Sequence, residues 1–178
     1  MQNLDLPRIS RCGSLACGVL LLAAMPLMNT VDASLQAPKG RVVIAVDGNI
    51  SATNDGATAR FDRAMLEAIG TTRIRTRTPW TDRPIEFEGV LVRDFLRAVG
   101  ASSNSFRVVA HDDYEAHVTG IDFDKYPAIL AMKMDGKTMR LRDKGPLWLI
   151  FPWDDYPELH ELVNSGLSVW QIKRVTVD

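Results

Sequence analysis

The sequence predicts an α+β fold, a mixed sheet with short helices, on three observations: many short β-branched runs, tight glycine turns between them, and few helical periodicities. That pattern favours a mixed sheet over a doubly wound parallel one. With 178 residues and 46% apolar side chains, the chain has enough material for one folded domain with a proper core.

The elements follow from the N-terminus. Arg8 and Arg11 precede an apolar stretch from Leu15 to Met28, and Val31-Asp32-Ala33 supplies a small-residue site after it. Residues 1–33 are therefore predicted to be a signal peptide cleaved near Ala33, and residues 34–178 a single exported domain. A membrane span needs about 20 apolar residues, whereas this run is shorter and interrupted by Gly18 and Pro26. Both cysteines, Cys12 and Cys17, fall inside that segment, so the mature domain is predicted to enter an oxidising compartment without a thiol. Its stability then rests on packing.

Arg41-Val-Val-Ile-Ala-Val46, stopped by Asp47-Gly48, reads as a buried strand entering a turn. From Arg60 to Ile69, Phe61, Met65, Leu66 and Ile69 recur at helical spacing, with Gly70 placed for a left-handed C-terminal cap. Thr71 to Thr78 alternates threonine and isoleucine with arginine and predicts a strand with one basic face. Gly89 to Gly100, with Leu91, Phe95, Leu96 and Val99 apolar, predicts a short helix, flanked by strands at Ile85–Glu88 and Phe106–His111. Ile129–Met134 and Thr138–Leu141 surround the glycine turn Asp135-Gly136-Lys137 and predict a hairpin. Leu147–Phe151 and Val169–Val177 complete the strands.

Charge excludes one class of function. With 21 basic against 22 acidic side chains, no global field exists to hold a nucleic acid, so affinity must come from a local site. The sequence also lacks a Gly-x-Ser-x-Gly nucleophile, a phosphate-cradling glycine loop and a Gly-x-Gly-x-x-Gly fingerprint. His111, His117 and His160 are scattered rather than paired at metal spacing. No catalytic residue and no metal ligand is assigned.

Aromatic and polar side chains are instead concentrated in Trp80, Tyr114, Trp148, Trp153, Tyr156, Trp170 and Gln171. Trp148, within an apolar run, reads as core. Trp80 and Trp170 each sit among polar neighbours at the end of a predicted strand, where a ring can pack or lie open to a cleft.

The order Trp80, then Phe87-Glu88-Gly89-Val90-Leu91-Val92-Arg93-Asp94-Phe95-Leu96, then Asp112-Asp113-Tyr114, Asp135-Gly136-Lys137, Gly145-Pro146-Leu147 and Ser168-Val169-Trp170-Gln171 resembles the molybdopterin-binding domain of sulfite-oxidase-like oxidoreductases. The resemblance covers residues 71 to 178. Catalytic members carry a molybdenum-ligating cysteine four residues ahead of the tryptophan, and here that place holds Thr76. A neutral threonine hydroxyl does not replace thiolate sulfur on that metal. The last motif departs too, since enzymes often have a lysine before the tryptophan where this chain has Val169.

The resemblance implies a small exported pterin receptor of the periplasm, one that binds a reduced pterin without metal. It implies as partner the periplasmic domain of an inner-membrane diguanylate cyclase or phosphodiesterase, the enzymes that make or degrade cyclic di-GMP. A pterin is a flat polar heterocycle with paired donors on its amino-pyrimidine edge, and it calls for an aromatic plate, a carboxylate and an amide. The candidate pterin-binding residues are Arg77, Thr78, Trp80, Asp112, Tyr114, Ser168, Trp170 and Gln171. Asp112 and Asp113 read equally as a solvated turn. Trp153-Asp154-Asp155-Tyr156-Pro157-Glu158 is either a partner-facing aromatic loop or a solvated connection. Two further readings stay open: a molybdopterin-dependent oxidoreductase with another ligand, and an exported module that binds only protein.

Overall fold

The structure, a computed structural model, describes residues 35–178; the predicted signal peptide and its cleavage site lie outside them. These residues form ten strands in two sheets with three short helices, an α+β arrangement.

The first sheet contains β1 (Val42–Gly48), β2 (Ala59–Asp62), β5 (Phe106–Ala110), β6 (Glu115–Val118) and β10 (Ile172–Val177), in the order β2-β1-β10-β5-β6. Only β1 and β10 run parallel, with Ala45 opposite Arg174 and Val46 opposite Val175. The second sheet contains β3 (Thr72–Thr76), β4 (Ile85–Leu91), β7 (Ile129–Met134) and β8 (Lys137–Thr138), and β9 (Trp148–Ile150) pairs with the first half of β7, Ile129 opposite Ile150 and Ala131 opposite Trp148. All of its pairings are antiparallel.

Side-chain alternation sends the second sheet into two cores. Leu130, Met132 and Leu149 join a large cluster with Val46, Phe61, Phe95 and Val175. Ile129, Ala131, Trp148 and Ile150 point the other way, into a smaller cluster with Ile74, Ile85 and Phe87. A strand buried on both faces reads as a continuous apolar run, which is why β7 and β9 were visible in the sequence. The smaller cluster carries Trp170 at its margin and so founds the site described below.

Several boundaries differ from expectation, each for a physical reason. The helix expected from Arg60 starts at Arg63 as α1 (Arg63–Ile69), because Ala59–Asp62 is drawn into pairing with β1 and Phe61 is buried from a strand. Asp62 then caps α1, its carboxylate accepting the Met65 N–H at 2.9 Å. Gly70 has φ 119° and ψ 141°, a positive-φ conformation outside the left-handed helical region expected of the cap. The helix expected from Gly89 is α2 (Val92–Ala98), and Gly89 belongs to β4. A Cβ on Gly89 would lie 2.1 Å from the Leu130 carbonyl oxygen, so this glycine permits close approach of β7 instead of starting a helix. The strand expected from Val169 begins at Ile172. The expected second arm of the hairpin is only β8, with a 3-10 turn from Leu141. Strand β6 and helix α3 (Leu159–Leu162) were not foreseen.

Candidate functional site

Three tryptophans meet where β3, β9 and the approach to β10 converge. After β3, a turn holds Trp80 outward: Thr78 N–H donates to Thr81 Oγ1 at 2.9 Å, and Trp80 N–H donates to Thr78 Oγ1 at 3.2 Å. Trp80 remains 39% exposed, whereas Trp148 is fully buried beneath it. Trp170 forms an isolated β-bridge with Trp148, which fixes its ring over the smaller core. The Trp80 and Trp170 centroids are 4.9 Å apart at 86°, and those of Trp148 and Trp170 are 6.1 Å apart at 89°. Both are edge-to-face contacts of the kind that ring quadrupoles favour.

Lys144 completes this cluster and carried no sequence signal beyond its position ahead of Gly145-Pro146. It adopts a left-handed backbone, φ 68°, and its ammonium lies 3.6 Å from the Trp170 ring centroid. Burial among the indoles holds its pKa below the ordinary lysine value.

Beside the tryptophans opens a cavity of about 280 Å³. Of the candidate residues, Trp80, Asp112, Tyr114, Ser168 and Trp170 line it, together with Ser165 and Gly166. The β5–β6 turn supplies Asp112 and Tyr114. Asp112 Oδ1 accepts the Tyr114 N–H at 3.1 Å, and Asp113 takes φ 65° as its N–H donates to the Ala110 carbonyl. Asp112 therefore both shapes the turn and lines the cavity. Asp113 turns away and pairs with Lys173. Tyr114 Oη donates to the Gly166 carbonyl at 3.2 Å, linking this turn to the 3-10 turn Ser165–Leu167.

Ser168 is buried and its hydroxyl is largely committed. Its Oγ donates to the Leu149 carbonyl at 2.6 Å and accepts the Trp148 indole N–H at 3.1 Å, which leaves one lone pair. Arg77, Thr78 and Gln171 do not line the cavity. Arg77 Nη1 pairs with Asp154 Oδ2 at 3.3 Å, Thr78 builds the turn under Trp80, and Gln171 Nε2 donates to the Leu141 carbonyl at 2.7 Å. Gln171 has φ 54°, the bend that carries the chain from Trp170 into β10.

Thr76, at the end of β3, is fully buried. Its Oγ1 donates to the Arg77 carbonyl at 3.0 Å and accepts the Asp154 N–H at 3.1 Å. In the Trp153–Glu158 loop the expected exposed aromatic is absent: Trp153 is 2% exposed and packs on Phe151, because the loop folds its indole back into the large core. Tyr156 is half-buried against Tyr126 at 5.4 Å. The outward side chains of that loop are Asp154, Asp155 and Glu158. Among the described residues no group of three histidine, cysteine, aspartate or glutamate side chains is arranged to hold a metal ion. Among the same residues no helix is long and apolar enough to cross a membrane.

No protein-family model matches the chain, and no curated protein matches its sequence.

Proposed function

We propose that the chain is a non-catalytic, exported pterin-binding protein with a sulfite-oxidase-like fold. In this reading it takes up a reduced, metal-free pterin and reports it to the periplasmic domain of an inner-membrane diguanylate cyclase or phosphodiesterase. One observation carries it: Trp80, Asp112, Tyr114, Ser168 and Trp170, from three separate stretches of sequence, share the wall of one cavity. At about 280 Å³ the cavity lies just below the usual range for ligand pockets, a size suited to a bicyclic ring with a short side chain.

The chemistry of the wall supports a flat polar heterocycle. Indole surface from Trp80 and Trp170 offers a plate, and Asp112 Oδ2 can accept from an amino-pyrimidine edge while Oδ1 keeps the turn. Tyr114 Oη and the Gly166 carbonyl close the far end. The residues at the metal-ligand position do not fit molybdenum. Thr76 offers a hydroxyl already held by two backbone groups, and a soft metal is held by thiolate. A protein that leaves its ligand unchanged acts through a partner that distinguishes the loaded from the empty form.

The test is capture of cell-envelope proteins on the purified chain with and without tetrahydropterin. The reading expects a membrane-bound cyclic di-GMP enzyme whose retention changes with the ligand. Retention that ignores the ligand, or no such enzyme in either condition, refutes it.

A further inference from the structure

We infer that the cleft between β1, the start of α1 and residues 139–146 is a docking groove for an extended acidic segment of a partner protein. The inference deepens the proposed function by naming a contact surface, and it rests on that reading for its place in signalling.

The cleft measures about 720 Å³, larger than the aromatic cavity, and the turn at residues 110–114 stands between the two, with His111 lining one and Asp112 the other. Lys39, Arg41, Arg63, Arg140 and Lys173 surround it. Arg140 is paired with Asp143 and Lys173 with Asp113, but Lys39, Arg41 and Arg63 have no acidic partner among the described residues. Arg63 Nη1 is buried with no acceptor among the same residues. The charge of Arg63 is thus left without a counter-ion in contact among these residues.

Asp62, the acidic residue of the lining, does not neutralise these cations by contact. Its Oδ2 accepts the Lys39 and Gly40 N–H groups at 2.9 and 2.6 Å, and its Oδ1 accepts the Met65 N–H. Those backbone donors are therefore spent, and no nest of N–H groups remains for a compact phosphate. What remains is a set of separate side-chain cations around an apolar floor. Val42 is 38% and Leu141 50% exposed there, with Met139 and Pro146 beside them. Carboxylates spaced along an extended peptide, with aliphatic side chains between them, match both the rim and the floor. A nucleic acid is disfavoured because the whole chain carries a net charge of −1 and provides no long-range attraction.

The experiment titrates the purified chain with a fluorescein-labelled peptide of alternating glutamate and leucine, followed by fluorescence anisotropy at rising salt. Lys39→Glu, Arg41→Glu and Leu141→Ser test the groove; Arg75→Glu, an exposed cation on β3, controls for general charge. Thermal melting checks that each variant is folded. We expect salt-sensitive saturation, weakened about tenfold or more by each groove variant and little by Arg75→Glu. No binding by the folded wild type, or equal loss with Arg75→Glu, overturns the inference. So does tighter capture of a short oligonucleotide or of phosphatidylglycerol vesicles at the same residues. Self-association lost with Arg41→Glu would also overturn it, because the exposed acidic stretch Asp154, Asp155, Glu158 and Glu161 of a second copy would then be the occupant. Tetrahydropterin is titrated in parallel: peptide binding without pterin binding refutes the proposed function alone, and pterin binding without peptide binding refutes the groove alone.

Discussion

Trp80 stands edge-on to Trp170, with ring centroids 4.9 Å apart and planes at 86°. The two indoles therefore cannot sandwich a ligand between parallel faces. Each offers a different surface to the cavity, and they differ in what holds them: Trp80 is 39% exposed on a turn, while Trp170 is anchored on buried Trp148 and covered by Lys144.

Trp80→Ala and Trp170→Ala are each expected to weaken tetrahydropterin binding by about 1–3 kcal/mol, roughly five- to 150-fold. Thermal melting separates their structural roles. Trp170→Ala should lower stability clearly because it strips packing from the smaller core, and Trp80→Ala should change it little. Unchanged titrations in both folded variants would remove the indoles from the site.

Asp112→Asn keeps an oxygen for the Tyr114 N–H and so should preserve the turn. It removes a charged acceptor, worth about 1.5–3 kcal/mol for a charge-assisted hydrogen bond. Pterin affinity should fall by that amount with an unchanged melting temperature. A lower melting temperature with unchanged affinity would mean that Asp112 serves the turn alone.

Ser168→Ala should lower stability by about 1–3 kcal/mol, because it deprives the Leu149 carbonyl of its donor and the Trp148 indole of one acceptor in a dry interior. Denaturant unfolding measures this. An unaltered midpoint would place the hydroxyl outside the structural network.

The parts of the site legible in the sequence were those with local chemistry. Trp80 and Trp170 stood at strand ends among polar neighbours, and Asp112 stood in a turn composition, so their types alone suggested a cleft. Gln171 follows the lining residue Trp170 but sits at a bend, φ 54°, that turns its amide to the Leu141 carbonyl, and Arg77, three residues before Trp80, is turned to Asp154. Lys144 was invisible because its role depends on three rings brought together by distant segments. Trp153 misled because burial of an indole is decided by how its loop folds back, not by its acidic neighbours. The same holds for the fold: β7 and β9 were plain from composition, while Phe61 and Gly89 fit a helical spacing that pairing with β1 and β7 overrode.

The pH dependence of stability should carry the mark of Asp62. The Met65 N–H foremost, then the Gly40 and Lys39 N–H groups, hold its carboxyl below the ordinary value of 3.8. A depressed carboxyl binds fewer protons folded than unfolded, so its stabilisation is present above the ordinary value and is lost as pH falls through the folded one. Asp62→Asn should therefore melt lower than wild type at neutral pH, and the gap should close in acid. A gap independent of pH would assign the loss to the cap geometry alone.

The most direct test of the central claim is mass spectrometry of small molecules released from the purified native protein, with elemental analysis of the same sample. The account predicts a reduced pterin in stoichiometric amount and no molybdenum. Stoichiometric molybdenum, or a protein that carries no pterin and fails to bind tetrahydropterin when it is added, would contradict it.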